Sequence, residues 1–256
     1  MSLKPRVSKS GTKGYGPSSP VQKALGWAEH FFSTVPMPDV STDRAQANGT
    51  LIATHLLHLI RGCGLLNGTG YHSAAVSLLR AMEDALDCFA AVAMVKGAAE
   101  EWDSGDLKAS DAAKQWAPLV ADIFRSQLPL PDYRKSLRRD FNIYSHCSRQ
   151  LCNWNLFFEP DAKDATTASV RGTLTLNTRG MIIDSNGHAI DAFETAHLLE
   201  FLELIRRCYS HALSSNPELL AELDVIQPKV VEIMEKHNAH HCQEVREPPE
   251  LARLHE

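Results

Sequence analysis

Residues 71–96 read YHSAAVSLLRAMEDALDCFAAVAMVK. In this stretch Tyr71, Ala74, Ala75, Leu78, Leu79, Met82, Ala85, Leu86, Phe89 and Ala93 recur at the three- and four-residue spacing of one helical face. Arg80, Asp84 and Asp87 share another face. A helix with so wide an apolar stripe needs neighbours to cover it, so the rest of the chain is expected to supply further helices.

Upstream, Val21, Leu25, Ala28 and Phe32 predict a short helix, closed by Val35-Pro36-Met37-Pro38, where proline removes the amide donors that continuation needs. An apolar run from Leu51 to Leu66 predicts a second helix carrying His55 and His58, read as surface or core-edge histidines. It ends at Asn67-Gly68-Thr69-Gly70. Downstream, Ser104-Gly105 marks a linker, and Leu107 to Ala117 carries a short helical pattern, with Pro118 suited to a following first turn. Asp132 is placed to N-cap a helix running to about Asn153.

Past Glu159-Pro160 the pattern changes. Leu174 and Leu176 alternate, and Asn177-Thr178-Arg179-Gly180 and Ser185-Asn186-Gly187 are turn strings, so a two- or three-stranded meander leaning on the helices is expected at about 170–190. Helical spacing resumes from Asp191 to Leu213 through Phe193, Ala196, Leu199, Leu202, Leu204, Ile205 and Tyr209. It returns from Pro217 to about His237, with Asn216 placed as N-cap. The expected fold is an all-α antiparallel bundle with a small β-meander insertion. One domain covers 21–243, flanked by a flexible basic tail at 1–20 and a loose tail at 244–256.

Composition narrows the class. The 256 residues are 44% hydrophobic and 22% charged, as in an ordinary globular chain. The longest uninterrupted apolar stretch, Cys88 to Val95, is far short of the ~20 residues that cross a bilayer, so no membrane association is expected. Met1 to Pro20 has Lys4, Arg6, Lys9 and Lys13 but no apolar core of a secretory signal. The six cysteines include no Cys-x-x-Cys pair, and a reducing cytoplasm is the expected location. A net charge of −5 means that nucleic acid would have to be held by a local basic patch.

Such a patch is legible between Asp132 and Asn153. Arg134, Lys135, Arg138 and Arg149 supply positive charge for nucleic acid, opposed only by Asp132 and Asp140. Arg139 and His146 lie seven residues apart, which on a helix is ~20° around the axis and ~10.5 Å along it. A guanidinium and an imidazole so placed could grip one phosphodiester and move a proton near neutrality without a metal. The same spacing also occurs on an ordinary solvated helix face.

The string Leu78-Leu79-Arg80-Ala81-Met82-Glu83, followed by Glu101-Trp102-Asp103-Ser104-Gly105 and by Phe141-Asn142-Ile143-Tyr144-Ser145-His146, resembles bacterial helical proteins of the HEPN superfamily. The family hallmark is an Arg, a polar residue and then a His a few residues on, and Arg139-Asp140 through His146 matches it. The resemblance covers about 51–153 and extends to the helices from 191 onward. It implies a helical bundle, commonly a homodimer, and a metal-independent endoribonuclease of toxin or defence type with RNA as substrate and an antitoxin or other protein as partner. In that reading His146 is the general acid or base, Arg139 stabilises the charged phosphate, Asp140 orients one of them, and Asn142, Tyr144 and Ser145 surround them. The other reading is a noncatalytic helical module that binds RNA, a nucleotide or a protein.

Arg80 and Glu83 are supporting candidates with two readings. Arg80 can pair within its helix with Glu83 or Asp84, or Glu83 can reach across the bundle towards Arg139 or His146. The string His237-Asn238-Ala239-His240-His241-Cys242 has zinc-binding residue types, but its place at the end of the last helix reads as a solvated terminus, and neither a metal nor a cofactor is expected. No P-loop, Gly-x-Ser-x-Gly elbow or His-Glu-x-x-His helix is present.

Overall fold

The computed structural model describes residues 19–120, 156–160, 172–176 and 184–246, with Ser19, Val120, the strands, 184–186 and 237–246 described by their backbone only. The helices are α1 (Ser19–Thr34), α2 (Arg44–Gly68), α3 (His72–Met94), α4 (Ala98–Ser104), α5 (Ala109–Trp116), α6 (Asp184–Cys208), α7 (Ser210–Ser214) and α8 (Pro217–Arg246). They pack into an all-helical bundle. α3 is its hub, in contact with α2, α4, α5 and α6, while α1 and α8 lie together along the other side of α6.

Local chemistry sets the ends of these helices. Asp43 caps α2 earlier than the apolar run suggests, its carboxylate accepting from the Gln46 amide at 2.9 Å. α2 passes to α3 through residues 69–71, where Gly70 takes φ of +81°, a conformation that other residues reach only with strain. The Asn216 side-chain nitrogen donates back to the Ala212 carbonyl at 2.8 Å, while its backbone carbonyl accepts from the Leu220 amide at the start of α8. Pro228 lies inside α8, where the missing amide breaks one rung of the ladder.

The expected β-meander at 170–190 is contradicted. Residues 184–190 form the first turns of α6, so Asn186-Gly187 is helix rather than a hairpin turn, and Ile190 is a buried bundle residue. A tertiary bond explains the override: the Gly187 carbonyl accepts from the Asn67 side chain of α2 at 3.0 Å, which holds the start of α6 against the bundle. The extended backbone among the described residues is one short antiparallel pair, β1 (Leu156–Pro160) with β2 (Gly172–Leu176), in which Leu156 faces Leu176 and Phe158 faces Leu174. Its strands pack on each other, and no described helix packs extensively on them. The turn string at 177–180 lies outside the described residues, as does the expected helix from Asp132 to Asn153.

At the centre, Trp27 and Phe31 of α1, Phe89 of α3, Phe201 of α6 and Tyr209 are buried together. Tyr209 meets Phe31 edge-on with ring centroids 5.5 Å apart and stacks on Phe89 at 6.3 Å. Its hydroxyl lies 3.1 Å from that of Thr50, and burial raises its pKa, so it stays neutral. Trp27 donates through its indole to the Leu219 carbonyl at 3.0 Å, joining α1 to α8. Trp116 does the same for α5 and α3, donating to Asp87 at 2.9 Å.

By length and composition α2 is the one helix among the described residues that could cross a membrane. Half of its apolar window is buried within the bundle, and Asn48 and Asn67 on its inner side bond to α4 and α6. These are the marks of a core helix in a globular domain.

Because Tyr209 carries both ring packing and a hydroxyl contact, two substitutions separate them. Tyr209→Phe should lower unfolding free energy by about 1 kcal/mol and Tyr209→Ala by about 3–5 kcal/mol, read by urea denaturation. Equal losses would mean that the rings do not form the centre of the core.

Candidate functional site

The residues expected to carry chemistry fall into two groups. Arg134, Lys135, Arg138, Arg139, Asp140, Asn142, Tyr144, Ser145, His146 and Arg149 lie outside the described residues. Arg80 and Glu83 are on α3, and the structure sends them different ways. Arg80 pairs within its own helix with Asp84 at 2.7 Å, whereas Glu83 turns into the bundle.

Glu83 is 0% exposed and its Oε2 lies 3.0 Å from Nε2 of His197 on α6, itself 3% exposed. The imidazole is oriented from behind: its Nδ1 lies 2.7 Å from the Phe193 carbonyl, which can only accept, so Nδ1 carries a proton. One further proton must sit in the Glu83–His197 contact, whether the pair is ionic or neutral. Within the described residues the expected reach of Glu83 across the bundle therefore ends on His197.

Nearly two turns earlier on α6, Asp191 accepts from the Asn67 side chain of α2 at 2.6 Å. The Asn67 oxygen accepts from Nδ1 of His72 at 2.8 Å, so both ends of this amide are engaged and its orientation follows from its partners. Burial pushes the His72 pKa down to about 4, leaving a neutral ring at physiological pH. Asp191 is shifted upward, first by burial, with the Asn67 bond acting against it.

Between these two contacts lies Glu194, 1% exposed, with neither carboxyl oxygen hydrogen-bonded among the described residues. It sits over Gly64 of α2, so close that a β-carbon there would fall 2.8 Å from Oε1. Burial, followed by the nearby Asp191 charge, pushes its pKa up to about 8. On α2 the adjoining Cys63 thiol, 3.5 Å from the Ala75 carbonyl, is also raised well above its usual value, first by burial and then by the Glu194 charge.

These groups form a seam along α6, where Asp191, Glu194 and His197 recur every three residues and meet α2 and α3. Spacing among apolar residues could not reveal it, because the apolar positions chosen for this stretch, Phe193 and Leu199, are exposed and half-buried. The usable signal was the set Ile190, Glu194, His197, Phe201 and Ile205, which keeps one helical face if its polar members are counted as core. Asp87, grouped by spacing with Arg80 and Asp84 on a face apart from the apolar stripe, is likewise buried against Trp116. His55 and His58 are exposed, as expected.

Outside the seam, α1 and α8 enclose a groove of about 440 Å³ lined by Lys23, Trp27, His30, Val225, Ile226 and Lys229 among others. Among the described residues no His, Cys, Asp and Glu cluster has the makings of a metal site. The string His237 to Cys242 falls within the backbone of α8.

Chemically, the seam orients and buries its groups rather than offering them to a substrate. The Glu83–His197 pair is sealed, and no Arg and His converge in an open cleft among the described residues. Compared with protein-family models, curated proteins and solved structures, the chain matches none.

The sealed pair has a measurable signature. Glu83→Ala or His197→Ala should each cost about 3–5 kcal/mol of stability by leaving a buried polar partner behind. The double variant Glu83→Leu with His197→Phe should recover most of the loss in urea denaturation. Additive losses in the double variant would show that the two side chains act separately.

Proposed function

We propose that this chain is a noncatalytic helical interaction module, a bundle that holds its shape through internal polar contacts and meets a protein partner on its outer surface. The observation that carries this reading is the Glu83–His197 contact: among the described residues, a carboxylate and an imidazole close enough for acid–base work are buried against each other. The outer face in turn offers the α1–α8 groove, where Trp27 and Ile226 form an apolar floor and Lys23, Lys229 and His30 supply polar edges. The net charge of −5 favours a protein over a nucleic acid as the general partner.

A second reading rests on the Arg139-Asp140 to His146 motif and the cations Arg134, Lys135, Arg138 and Arg149. In it a HEPN-like homodimer cleaves RNA without a metal, with His146 as acid or base and Arg139 on the phosphate, and is restrained by an antitoxin or another protein partner. What supports it is the motif and its basic surroundings.

Incubation of the purified full chain with RNA in chelator separates the two. The module reading expects intact RNA, identical behaviour of His146→Ala, and weak RNA binding that changes little on Arg138→Glu with Arg149→Glu. Cleavage leaving cyclic phosphate ends, abolished in folded His146→Ala, would overturn it in favour of the nuclease. Tight, salt-dependent RNA binding without cleavage, lost on reversing Arg138 and Arg149, would replace the protein partner by RNA.

A further inference from the structure

We infer that the seam between α2 and α6 is a proton-operated latch, in which the Glu194 side chain fits over Gly64 only as a neutral acid and its ionisation loosens α6 from α2. The inference does not depend on the identity of the partner. Glu194 is 1% exposed, and neither of its oxygens has a hydrogen-bond partner among the described residues. A buried carboxylate without donors is among the costliest groups a fold can hold, whereas a neutral carboxyl in the same place is far cheaper.

The surroundings reinforce this. From α2, Gly64 brings bare backbone to within van der Waals reach of the carboxyl, and the neighbouring Cys63 thiol is buried and uncharged. From the start of α3, His72 is held neutral by burial and directs its Nδ1 to Asn67, not to Glu194. On α6 itself, Asp191 lies one turn before and adds a repelling charge, with His188 close to Asp191. His197, one turn after, is engaged by Glu83 of α3 and by the Phe193 carbonyl. Among the described residues no cation offsets a charge on Glu194; the charge that acts on it is that of Asp191.

The sign of the pH dependence follows. The folded-state pKa of Glu194 is raised from 4.5 to about 8, so the folded chain holds a proton that the unfolded chain has lost. The latch contributes fully below about pH 4.5, weakens as pH rises towards 8, and adds nothing further above that. His72 opposes it only on the acid side, between about 4 and its ordinary value of 6.5.

The test compares full-length wild type with Glu194→Gln and Glu194→Met in urea denaturation at pH 6, 7, 8 and 9, together with mass-spectrometric mapping of Cys63 alkylation. Relative to both variants, the wild-type unfolding constant should rise by at least about tenfold between pH 6 and pH 9. Cys63 alkylation, divided by the rate in the variants, should rise over the same range, because Cys63 adjoins Gly64 on α2 and its thiol is buried in the bundle beside α3. Wild-type and variant stabilities that run parallel across pH would overturn the latch, and so would a Cys63 labelling ratio that stays flat. If Glu194→Gln does not fold, the comparison with Glu194→Met decides in the same way.

Discussion

The bundle depends on how it deals with polar groups in its own interior. Where α6 crosses α2 and α3, the face that should be apolar carries Asp191, Glu194 and His197, all removed from most or all of their water. Each is accommodated differently: Asp191 by an amide donor, His197 by a carboxylate in front and a carbonyl behind, Glu194 by giving up its charge. Polar contacts of this kind add less net stability than their number suggests, because desolvation offsets much of the attraction. What they add is register. Sliding α6 by a turn would part His197 from Glu83 and Asp191 from Asn67 together, an error that leucines alone would tolerate better.

That register reaches the aromatic centre. Phe201 follows His197 by one turn of α6 and packs against Phe89 edge-on at 5.4 Å, and Tyr209, at the end of the same helix, fills the space beside Gly49. A β-carbon on Gly49 would stand 3.3 Å from the Tyr209 hydroxyl, just as one on Gly64 would crowd Glu194. Two glycines on the inner side of α2 thus let the ends of α6 approach closely. The start of α6 is positioned by Gly187 and Asn67, its end by Tyr209 and Thr50, so α2 serves as its template along most of its length.

The helical class, the core helix at 71–96 and most helix positions were legible in the sequence because apolar spacing reports packing faithfully where the core is apolar. It failed where the core is polar. In the earlier part of α6, Phe193 and Leu199 point the expected face away from the core, since Glu194 and His197 look like surface residues until their partners on α2 and α3 are known; farther on, Leu202, Leu204, Ile205 and Tyr209 are buried as expected. The alternation at Leu174 and Leu176 did mark a strand, but its partner is the upstream segment Leu156–Pro160, and strand pairing is not written in local pattern. Asn186-Gly187 read as a hairpin turn because that dipeptide usually is one; here a long-range bond from Asn67 outweighed the local preference. Of the candidate site, Arg80 and Glu83 were found by their charge, yet charge alone could not tell that one pairs within its helix and the other seals the core.

This division between sealed interior and open surface bears on function. A catalytic constellation needs its acid or base in reach of a substrate, and a rigid recognition module needs the opposite, polar groups engaged with each other so that the outer faces are held in fixed relation. Among the described residues Glu83, His197, Asn67 and Asp191 are engaged with each other in pairs, and Glu194 is the exception. The bundle's ion pairs at the surface, Arg61 with Glu29 and Arg206 with Asp224, tie α2 to α1 and α6 to α8, so the two helices that frame the outer groove are each fastened to the seam-bearing core. Alone such exposed pairs contribute little to stability. Placed across helix boundaries, they and the Trp27 indole on the Leu219 carbonyl keep α1 and α8 at a set distance, and a groove of fixed width is what a partner can recognise without first ordering the surface it meets.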